Sequence, residues 1–122
     1  MAGIVFLRTP DPDRIVGFYT ERLGMQRWLS QPEIEILCHG NLLVGFHRSG
    51  ETDRDALLTF FYPTTDEVDE LYRSLSDVAT SEPKENATYR IYNFFGVDPD
   101  GRRFEVQAFL HEIPDAPGAG GV

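Results

Sequence analysis

An internal repeat constrains this chain of 122 residues more than any other feature of its sequence. An offset of 53 residues places Ile4 on Leu57, Pro10 on Pro63 and Tyr19 on Tyr72. In each copy an apolar run stops at the proline, and a stretch with helical periodicity follows. The sequence therefore predicts two copies of one supersecondary unit.

The first copy, at about residues 3–48, begins with the apolar run Gly3–Thr9, which predicts a strand. Asp11 follows as a helix N-cap with Pro12 at the first helical position, and Gly24 is placed to end the helix in a left-handed conformation. Three short strands are expected to complete the copy, at Gln26–Ser30, Glu33–Cys38 and Leu42–Arg48.

The second copy, at about residues 56–110, follows the same order. Its first strand is predicted at Ala56–Tyr62, and its helix is predicted to be capped by the box formed by Thr64 and Glu67. Later strands are expected at Thr80–Lys84, Tyr89–Gly96 and Arg102–Leu110, the last two joined by the turn Asp98-Pro99-Asp100-Gly101. The predicted fold class is α+β, with two tandem βαβββ modules.

The domain organisation follows from the repeat and from the C-terminal composition. Residues 1–112 are expected to form a single domain, because the two modules account for nearly all of the apolar sequence. Residues 113–122 have too few apolar groups to offset the entropy of ordering them. They are expected to form a flexible tail.

Charge and composition exclude several classes of partner. Twenty acidic and eleven basic residues give a net charge of −9, which opposes binding to nucleic acid or to anionic lipid. No apolar run approaches the ~20 residues that span a bilayer, and the N-terminus lacks the features of a secretion signal. We therefore expect a cytoplasmic protein whose acidic surface keeps it soluble or attracts a cationic ligand.

Two motifs give the chain a family resemblance. Residues 17–25 (GFYTERLGM) close the first helix, and Asp98-Pro99-Asp100-Gly101 leads into Arg103-Phe104-Glu105-Val106. Together with the repeat, they resemble the vicinal oxygen chelate superfamily, which includes glyoxalase I, extradiol dioxygenases, fosfomycin-resistance thiol transferases and bleomycin-binding proteins. The resemblance covers residues 3–110 and implies that each module curls into half of a cleft. It does not define a reaction, because fold and function separate readily.

The resemblance also implies where a metal would bind. Metal-dependent members place ligands on the first and last strand of each module, and the matching first-strand residues, Ile4 and Leu57, have no donor atom. On the last strands, Glu105 matches a ligand, and its counterpart in the first module lies within one residue of Val44. A transition metal usually needs three or four protein ligands. We therefore expect neither a metal nor another cofactor.

The three histidines do not match the family's ligand positions. His39 and His111 are expected to be exposed. His47 lies three residues beyond Val44, so strand alternation places it on the opposite side of the sheet from the lost ligand position. Only a metal-dependent alternative, with a different ligand alignment, would use His47 together with Glu105.

Strand alternation gives the residues that the resemblance would place in the cleft. If Ile4 and Leu57 point inward, so do Phe6, Arg8, Thr59 and Phe61. On the last strand, Arg103, Glu105 and Gln107 share a face, and we take Glu105 and Gln107 into the predicted site. The preceding strand contributes either Tyr92 and Phe94, which we take into the predicted site, or the set Ile91, Asn93 and Phe95. Apolar walls with a few polar groups are typical of a small-molecule pocket.

Glu105 needs a partner if no metal is present, because a buried carboxylate must be paired or hydrogen-bonded. The predicted partner is Arg8, which the resemblance places on the same cleft. Alternatively, Glu105 serves as a general base.

The leading functional prediction is a metal-independent protein resembling the bleomycin-binding branch. It would be a homodimer that binds a small organic molecule, cationic or aromatic, in an aromatic cleft, with antibiotic sequestration as one form of this function. Two alternatives stay open. One is a metal-dependent, glyoxalase-like lyase or dioxygenase, and the other is a structural or regulatory subunit whose cleft is filled by its own side chains.

Overall fold

The computed structural model describes residues 2–117 of the chain. They form two compact units, the first made of residues 2–53 with residues 115–117 and the second of Arg54–Pro114. Each unit contains one βαβββ module, so the predicted α+β class with two tandem modules is confirmed. No helix in the described range is long and apolar enough to cross a membrane.

The first unit contains one helix and four strands. In chain order they are β1 (Val5–Thr9), α1 (Pro12–Leu23), β2 (Gln26–Gln31), β3 (Ile34–His39) and β4 (Leu42–Arg48). The sheet order is β1-β4-β3-β2, in which β1 runs parallel to β4 and the other pairs are antiparallel. A parallel pair needs a long crossover connection, and here the connection from β1 includes α1 and the two strands that precede β4.

The expected signals begin and end α1. The Asp11 side chain accepts a hydrogen bond from the Arg14 backbone N–H (3.2 Å), and Gly24 ends the helix with a φ of +74°. This φ suits glycine because it has no Cβ to clash in the left-handed region. The helix packs its apolar side onto the sheet, where the Tyr19 ring stacks on Phe46 at 5.5 Å between centroids.

The second unit repeats this arrangement with β5 (Leu57–Phe61), α2 (Thr65–Leu75), β6 (Lys84–Asn86), β7 (Ile91–Val97) and β8 (Arg103–Phe109). The sheet order is β5-β8-β7-β6, and β5 runs parallel to β8. Helix α2 packs on β7 and β8. We call the opposite side of this sheet its helix-free face.

Two strand predictions in the second module need correction. The strand expected at Thr80–Lys84 lies instead at Lys84–Asn86. Upstream of it, the Ser81 hydroxyl accepts a hydrogen bond from the Phe95 N–H, and Pro83 has no N–H to donate, so no regular ladder forms there.

The next strand begins at Ile91 rather than at Tyr89. The Asn86–Arg90 segment forms a turn in which the Arg90 N–H donates to the Asn86 carbonyl (2.8 Å), and Arg90 has a φ of +54°. Tyr89 therefore lies in the connection between β6 and β7.

A buried ionic turn leads into β8. The Arg102 guanidinium, fully buried, donates to Asp98 Oδ2 at 2.7 Å and lies 3.4 Å from Asp100 Oδ2. Asp98 Oδ1 accepts hydrogen bonds from the backbone N–H groups of Asp100 (2.9 Å) and Arg102 (3.0 Å). Gly101 completes the turn with a φ of +83°. These contacts fix the start of the strand that carries Glu105.

The C-terminal prediction is tested only in part. Residues 118–122 of the expected tail lie outside the described residues. Within residues 113–117 there is no helix or strand, and the Asn41 side-chain amide donates to the Pro117 carbonyl at 2.6 Å.

Candidate functional site

Glu105 is the buried acidic side chain on the helix-free face of the second sheet. It is 7% exposed, and its two oxygens each accept one hydrogen bond. The Thr59 hydroxyl donates to Oε1 at 2.9 Å, and the Asn93 side-chain N–H donates to Oε2 at 2.7 Å. The strand register explains the contacts, because Thr59 is directly opposite Glu105 on β5 and Asn93 lies on the neighbouring β7. Two neutral groups therefore hold this carboxylate.

A pocket of about 530 Å³ lies beside Glu105 and is built from β6, β7, β8 and the turn before β7. Its apolar lining comes from Tyr89, Ile91, Phe95 and Phe109. Its polar lining comes from Lys84, Glu85, Asn86, Asn93, Glu105 and Gln107. Ligand pockets for small organic molecules commonly measure ≈ 300–1,000 Å³ and combine apolar walls with a few fixed polar groups, and this pocket has that composition.

The pocket also contains side-chain amide groups with spare hydrogen-bonding capacity. The Asn93 side chain donates to Glu105 through its amide nitrogen. Its amide oxygen, Oδ1, accepts no hydrogen bond from the described residues. Gln107 likewise makes no side-chain hydrogen bond within residues 2–117, although it lines the pocket. A bound molecule can therefore receive or donate hydrogen bonds at both positions.

Exposed basic groups lie around the pocket rather than against Glu105. Lys84 extends from the edge strand β6, and the Arg103 guanidinium lies over the Phe95 ring at 4.8 Å from its centroid. Glu85, which also lines the pocket, is exposed on β6, where it is opposite Tyr92. Within the described residues, Glu105 is therefore the buried charge of the pocket.

Four of the predicted cleft residues share the helix-free face of the second sheet. Thr59 and Phe61 lie on β5, opposite Glu105 and Gln107 on β8. Glu105 and Gln107 line the pocket, Thr59 holds Glu105, and the Phe61 ring contacts Phe109 with centroids 5.5 Å apart. Their part in ligand binding stays a prediction.

Tyr92 and Phe94 do not belong to this face, so their predicted placement is wrong. The Tyr92 hydroxyl donates to Asp69 of α2 at 2.6 Å, and the Phe94 ring, fully buried, contacts Tyr72 of α2 at 5.4 Å. The hydrogen bond to Asp69 is the main reason that the pKa of Tyr92 is raised.

The alternative set, Ile91, Asn93 and Phe95, lines the pocket instead. A register signal in the sequence could have selected it. The turn at Asp98–Gly101 pairs Val97 with Arg103, which places odd-numbered residues of β7 opposite odd-numbered residues of β8. Residues that share the Glu105 face on β7 must then be odd-numbered.

Arg8 has acidic partners within its own unit, so the predicted ion pair with Glu105 is wrong. Its guanidinium binds both Asp53 carboxylate oxygens and also pairs with Glu51. Its backbone N–H donates to Asp53 Oδ2 at 2.7 Å. These contacts, with the Asp53 hydrogen bonds the largest cause, raise the pKa of Arg8. Glu105 meanwhile obtains its hydrogen bonds from Thr59 and Asn93.

Phe6 occupies the corresponding region of the first sheet. The repeat offset matches Phe6 with Thr59, and Phe6 pairs with Gly45 as Thr59 pairs with Glu105. Gly45 is therefore the counterpart of Glu105, one residue beyond the expected Val44. A Cβ at Gly45 would lie 2.5 Å from the Phe6 ring, so this ring covers the position.

This register also corrects the prediction for His47. Because His47 is two residues beyond Gly45, it lies on the same side of its sheet as the counterpart of Glu105, not on the opposite side. His47 and His111 are exposed, whereas His39 is half-buried, and this burial lowers its pKa.

The residues at the family's ligand positions do not fit a metal ion. Ile4, Leu57 and Gly45 have no donor side chain, so Glu105 is the one side chain at these four positions that could bind a metal. Among residues 2–117, no group of three or more His, Cys, Asp or Glu side chains could hold a metal ion. The site therefore has one carboxylate where a metal centre needs three or four ligands.

Comparisons with known proteins agree with this fold. The sequence model of the Glyoxalase/Bleomycin resistance protein/Dioxygenase superfamily matches residues 2–106. This chain belongs to that superfamily, and the resemblance found in its motifs is confirmed. No curated protein matches the chain.

Several solved structures share the fold at low sequence identity. A glyoxalase/bleomycin resistance protein/dioxygenase from Nocardioides is 18% identical, with a TM-score of 0.74, and the match covers 97% of this chain and 89% of that one. A family enzyme from Burkholderia phytofirmans PsJN is 22% identical, with a TM-score of 0.77 and coverage of 88% and 97%. A lactoylglutathione lyase from Agrobacterium tumefaciens is 18% identical, with a TM-score of 0.71 and coverage of 88% and 92%. At these identities the likeness concerns the fold alone.

Proposed function

We propose that this protein binds a small organic molecule, with an aromatic or apolar body, in the pocket beside Glu105 and without a metal ion. The observation that carries the proposal is a buried carboxylate held by neutral groups in an apolar-walled pocket of about 530 Å³. The superfamily is known for small-molecule binding. We propose in addition that this chain binds its ligand beside Glu105 and that binding needs no metal ion.

The donor chemistry supports metal independence. Thr59 and Asn93 direct an O–H and an N–H at the two Glu105 oxygens, so the protein holds this carboxylate in place without a metal ion. The other positions that correspond to the family's metal ligands supply no donor atom, because Ile4 and Leu57 have apolar side chains and Gly45 has none.

The lining favours binding over acid–base catalysis. General acid–base chemistry needs a proton-transfer group held in a fixed position, and the other titratable side chains that line the pocket, Lys84, Glu85 and Tyr89, are exposed. Binding without turnover is sufficient for sequestration. We propose that this protein acts in the cytoplasm and that it sequesters an antibiotic there.

We also propose that the protein is a homodimer, on the basis of its edge strands. β1 and β5 each lie at the edge of a sheet, and they expose the large apolar side chains Val5 (51%), Phe6 (51%), Leu57 (45%) and Phe61 (43%). Exposed apolar edges of this kind are usually covered by another chain or element. Sedimentation equilibrium should give twice the chain mass, whereas a monomer at micromolar concentration would contradict this part of the proposal.

The binding site is tested with two matched phenylalanine variants. Full-length protein, freed of metal by a chelator, is titrated with aromatic probes (naphthylamine, naphthol and naphthoate) by calorimetry. Phe95→Ala removes a wall of the pocket, and Phe6→Ala removes a half-exposed ring that does not line it. We expect Phe95→Ala to lose binding at least about tenfold, as for a ring contact worth roughly 1.5 kcal/mol, and Phe6→Ala to retain it.

Two results would overturn the proposal. One is that no aromatic probe binds the wild type. The other is that binding requires added zinc, nickel, manganese or ferrous ion, which would also raise the melting temperature of the folded protein.

A further inference from the structure

We infer that the ligand of this pocket is an organic cation that carries N–H groups, such as an amidinium or a primary ammonium attached to an aromatic or apolar body. The inference rests on the proposed function and names its ligand class. It follows from the hydrogen bonds that Glu105 and Asn93 already make and from those that they leave open.

The hydrogen-bond partners of Glu105 do not neutralise its charge. Its two protein hydrogen bonds come from the neutral donors Thr59 and Asn93, and its side chain is nearly buried. A buried carboxylate loses its hydration, and a counter-charge adds to the compensation that hydrogen bonds alone provide. The protein supplies the hydrogen bonds, and a cationic ligand would supply the counter-charge.

The basic groups near the pocket are exposed. Lys84 is exposed on the edge strand, and Arg103 is exposed over the Phe95 ring, so water screens both charges. Neither donates to Glu105. An anionic ligand would gain little from these exposed groups and would be repelled by the buried carboxylate. The balance favours a cation at the buried end of the pocket.

The acceptors in the pocket distinguish N–H cations from fully alkylated ones. Asn93 is 8% exposed, its N–H is directed at Glu105, and its Oδ1 accepts nothing from the described residues. Two acceptors, a carboxylate oxygen and an amide oxygen, therefore belong to neighbouring side chains that line the same pocket. An amidinium or a primary ammonium has enough N–H groups to donate to both, whereas a quaternary ammonium has none.

The aromatic and apolar lining of the pocket places the apolar body of the ligand. Arg103 already lies against the Phe95 ring, so that ring is not a free cation-binding surface. Phe109, Ile91 and Tyr89 supply the remaining apolar lining. The charged end of the ligand is therefore assigned to Glu105 and Asn93, and its hydrocarbon part to the aromatic wall.

The test uses monosubstituted benzenes that differ in charge and in N–H groups. Benzamidine is a planar cation with N–H donors, benzamide is its neutral counterpart, benzoate is the anion, and phenyltrimethylammonium is a cation without N–H. Calorimetry on the metal-free wild type should show benzamidine binding at least about tenfold more tightly than each of the other probes, as one charge-assisted hydrogen bond would give.

Variants then assign the preference to Glu105. Glu105→Gln keeps the shape but removes the charge, and it should reduce the preference for benzamidine over benzamide to about twofold or less. Glu70→Gln is the matched control, because Glu70 is an exposed carboxylate on α2 that does not line the pocket. It should retain the wild-type preference. The wild-type ranking itself needs no variant, so a misfolded Glu105→Gln would not leave the inference untested.

The outcomes separate this inference from the proposed function. If benzamide or benzoate binds as tightly as benzamidine and Phe95→Ala weakens that binding, the pocket is real but the ligand is not a cation. Equal binding of phenyltrimethylammonium and benzamidine would overturn the requirement for N–H groups. If none of these probes binds while a neutral naphthyl probe does, the inference is overturned and the proposed function is not.

Discussion

The strongest test of the fold is the buried ionic turn that begins β8. Replacing Arg102 with methionine keeps a long apolar stem of similar length but removes the charge. Asp98 and Asp100, which are 4% and 6% exposed, would then be two buried carboxylates without the guanidinium that lies 2.7 and 3.4 Å from them. Removing one member of a buried ion pair usually costs about 3–5 kcal/mol.

This cost is large beside the whole stability of such a domain, which is commonly about 5–15 kcal/mol. Arg102→Met should therefore lower the midpoint of urea unfolding strongly and reduce the melting temperature by roughly 12–20 °C. Urea unfolding followed by circular dichroism, with an unchanged slope, would show that the change is in stability rather than in the unfolded state.

The adjacent residue supplies the control. Arg103 is exposed and contacts the face of the Phe95 ring, so Arg103→Met should cost no more than about 1 kcal/mol. The double variant Arg102→Met with Asp98→Asn should recover part of the loss, because one of the two uncompensated charges is gone. If Arg102→Met costs as little as Arg103→Met, the argument from burial and ion pairing is refuted.

Three further variants test individual contacts. Thr64→Ala removes the side-chain cap of α2 and should cost about 1 kcal/mol in urea unfolding; no loss of stability would mean that the cap is not formed in solution. Gly96→Ala places a Cβ about 2.6 Å from Cε2 of the buried Phe104 ring, and overpacking of about 1–3 kcal/mol should appear in the same assay; wild-type stability would contradict the close approach. Tyr92→Phe removes the hydrogen bond to Asp69, which raises the pKa of Tyr92. The folded state therefore holds the phenol proton more tightly, so the stability difference from wild type should be constant at neutral pH and shrink as the pH rises above about 10; a difference that persists at high pH would argue against this bond.

The fold could be predicted from the sequence because its signals are local and occur twice. A proline after an apolar run, an N-cap before a helical stripe and Gly24 at the end of α1 each act over a few residues, and the structure has them where expected. The short edge strand β6 could not be predicted in the same way. Its three residues, Lys84–Asn86, have no apolar alternation, and it forms because β7 offers an unpaired edge.

The site was harder to predict because it depends on register and on side-chain choice. Strand alternation identifies the correct faces of β5 and β8. On β7 it leaves two possible sets of pocket residues, and the set with Tyr92 and Phe94 is the wrong one. The pairing of Arg8 with Glu105 could not be checked from the sequence, because the position of the acidic loop after β4 depends on tertiary contacts. That loop runs back along β1, where the Asp53 N–H donates to the Arg8 carbonyl and the Asp53 carboxylate binds its guanidinium.

The two modules use corresponding positions in opposite ways, and this difference places the carboxylate and its pocket in the second module. In the first module, Phe6 is opposite Gly45, and its ring covers the space that a side chain at Gly45 would need. In the second module, a small hydroxyl side chain, Thr59, is opposite Glu105 and donates a hydrogen bond to it. In the first module the Phe6 ring fills the space over Gly45, which has no side chain. In the second module the small Thr59 side chain leaves room for Glu105 and donates a hydrogen bond to it. A carboxylate introduced at Gly45 alone would therefore not reproduce the second module's site, because the Phe6 ring would occupy its space.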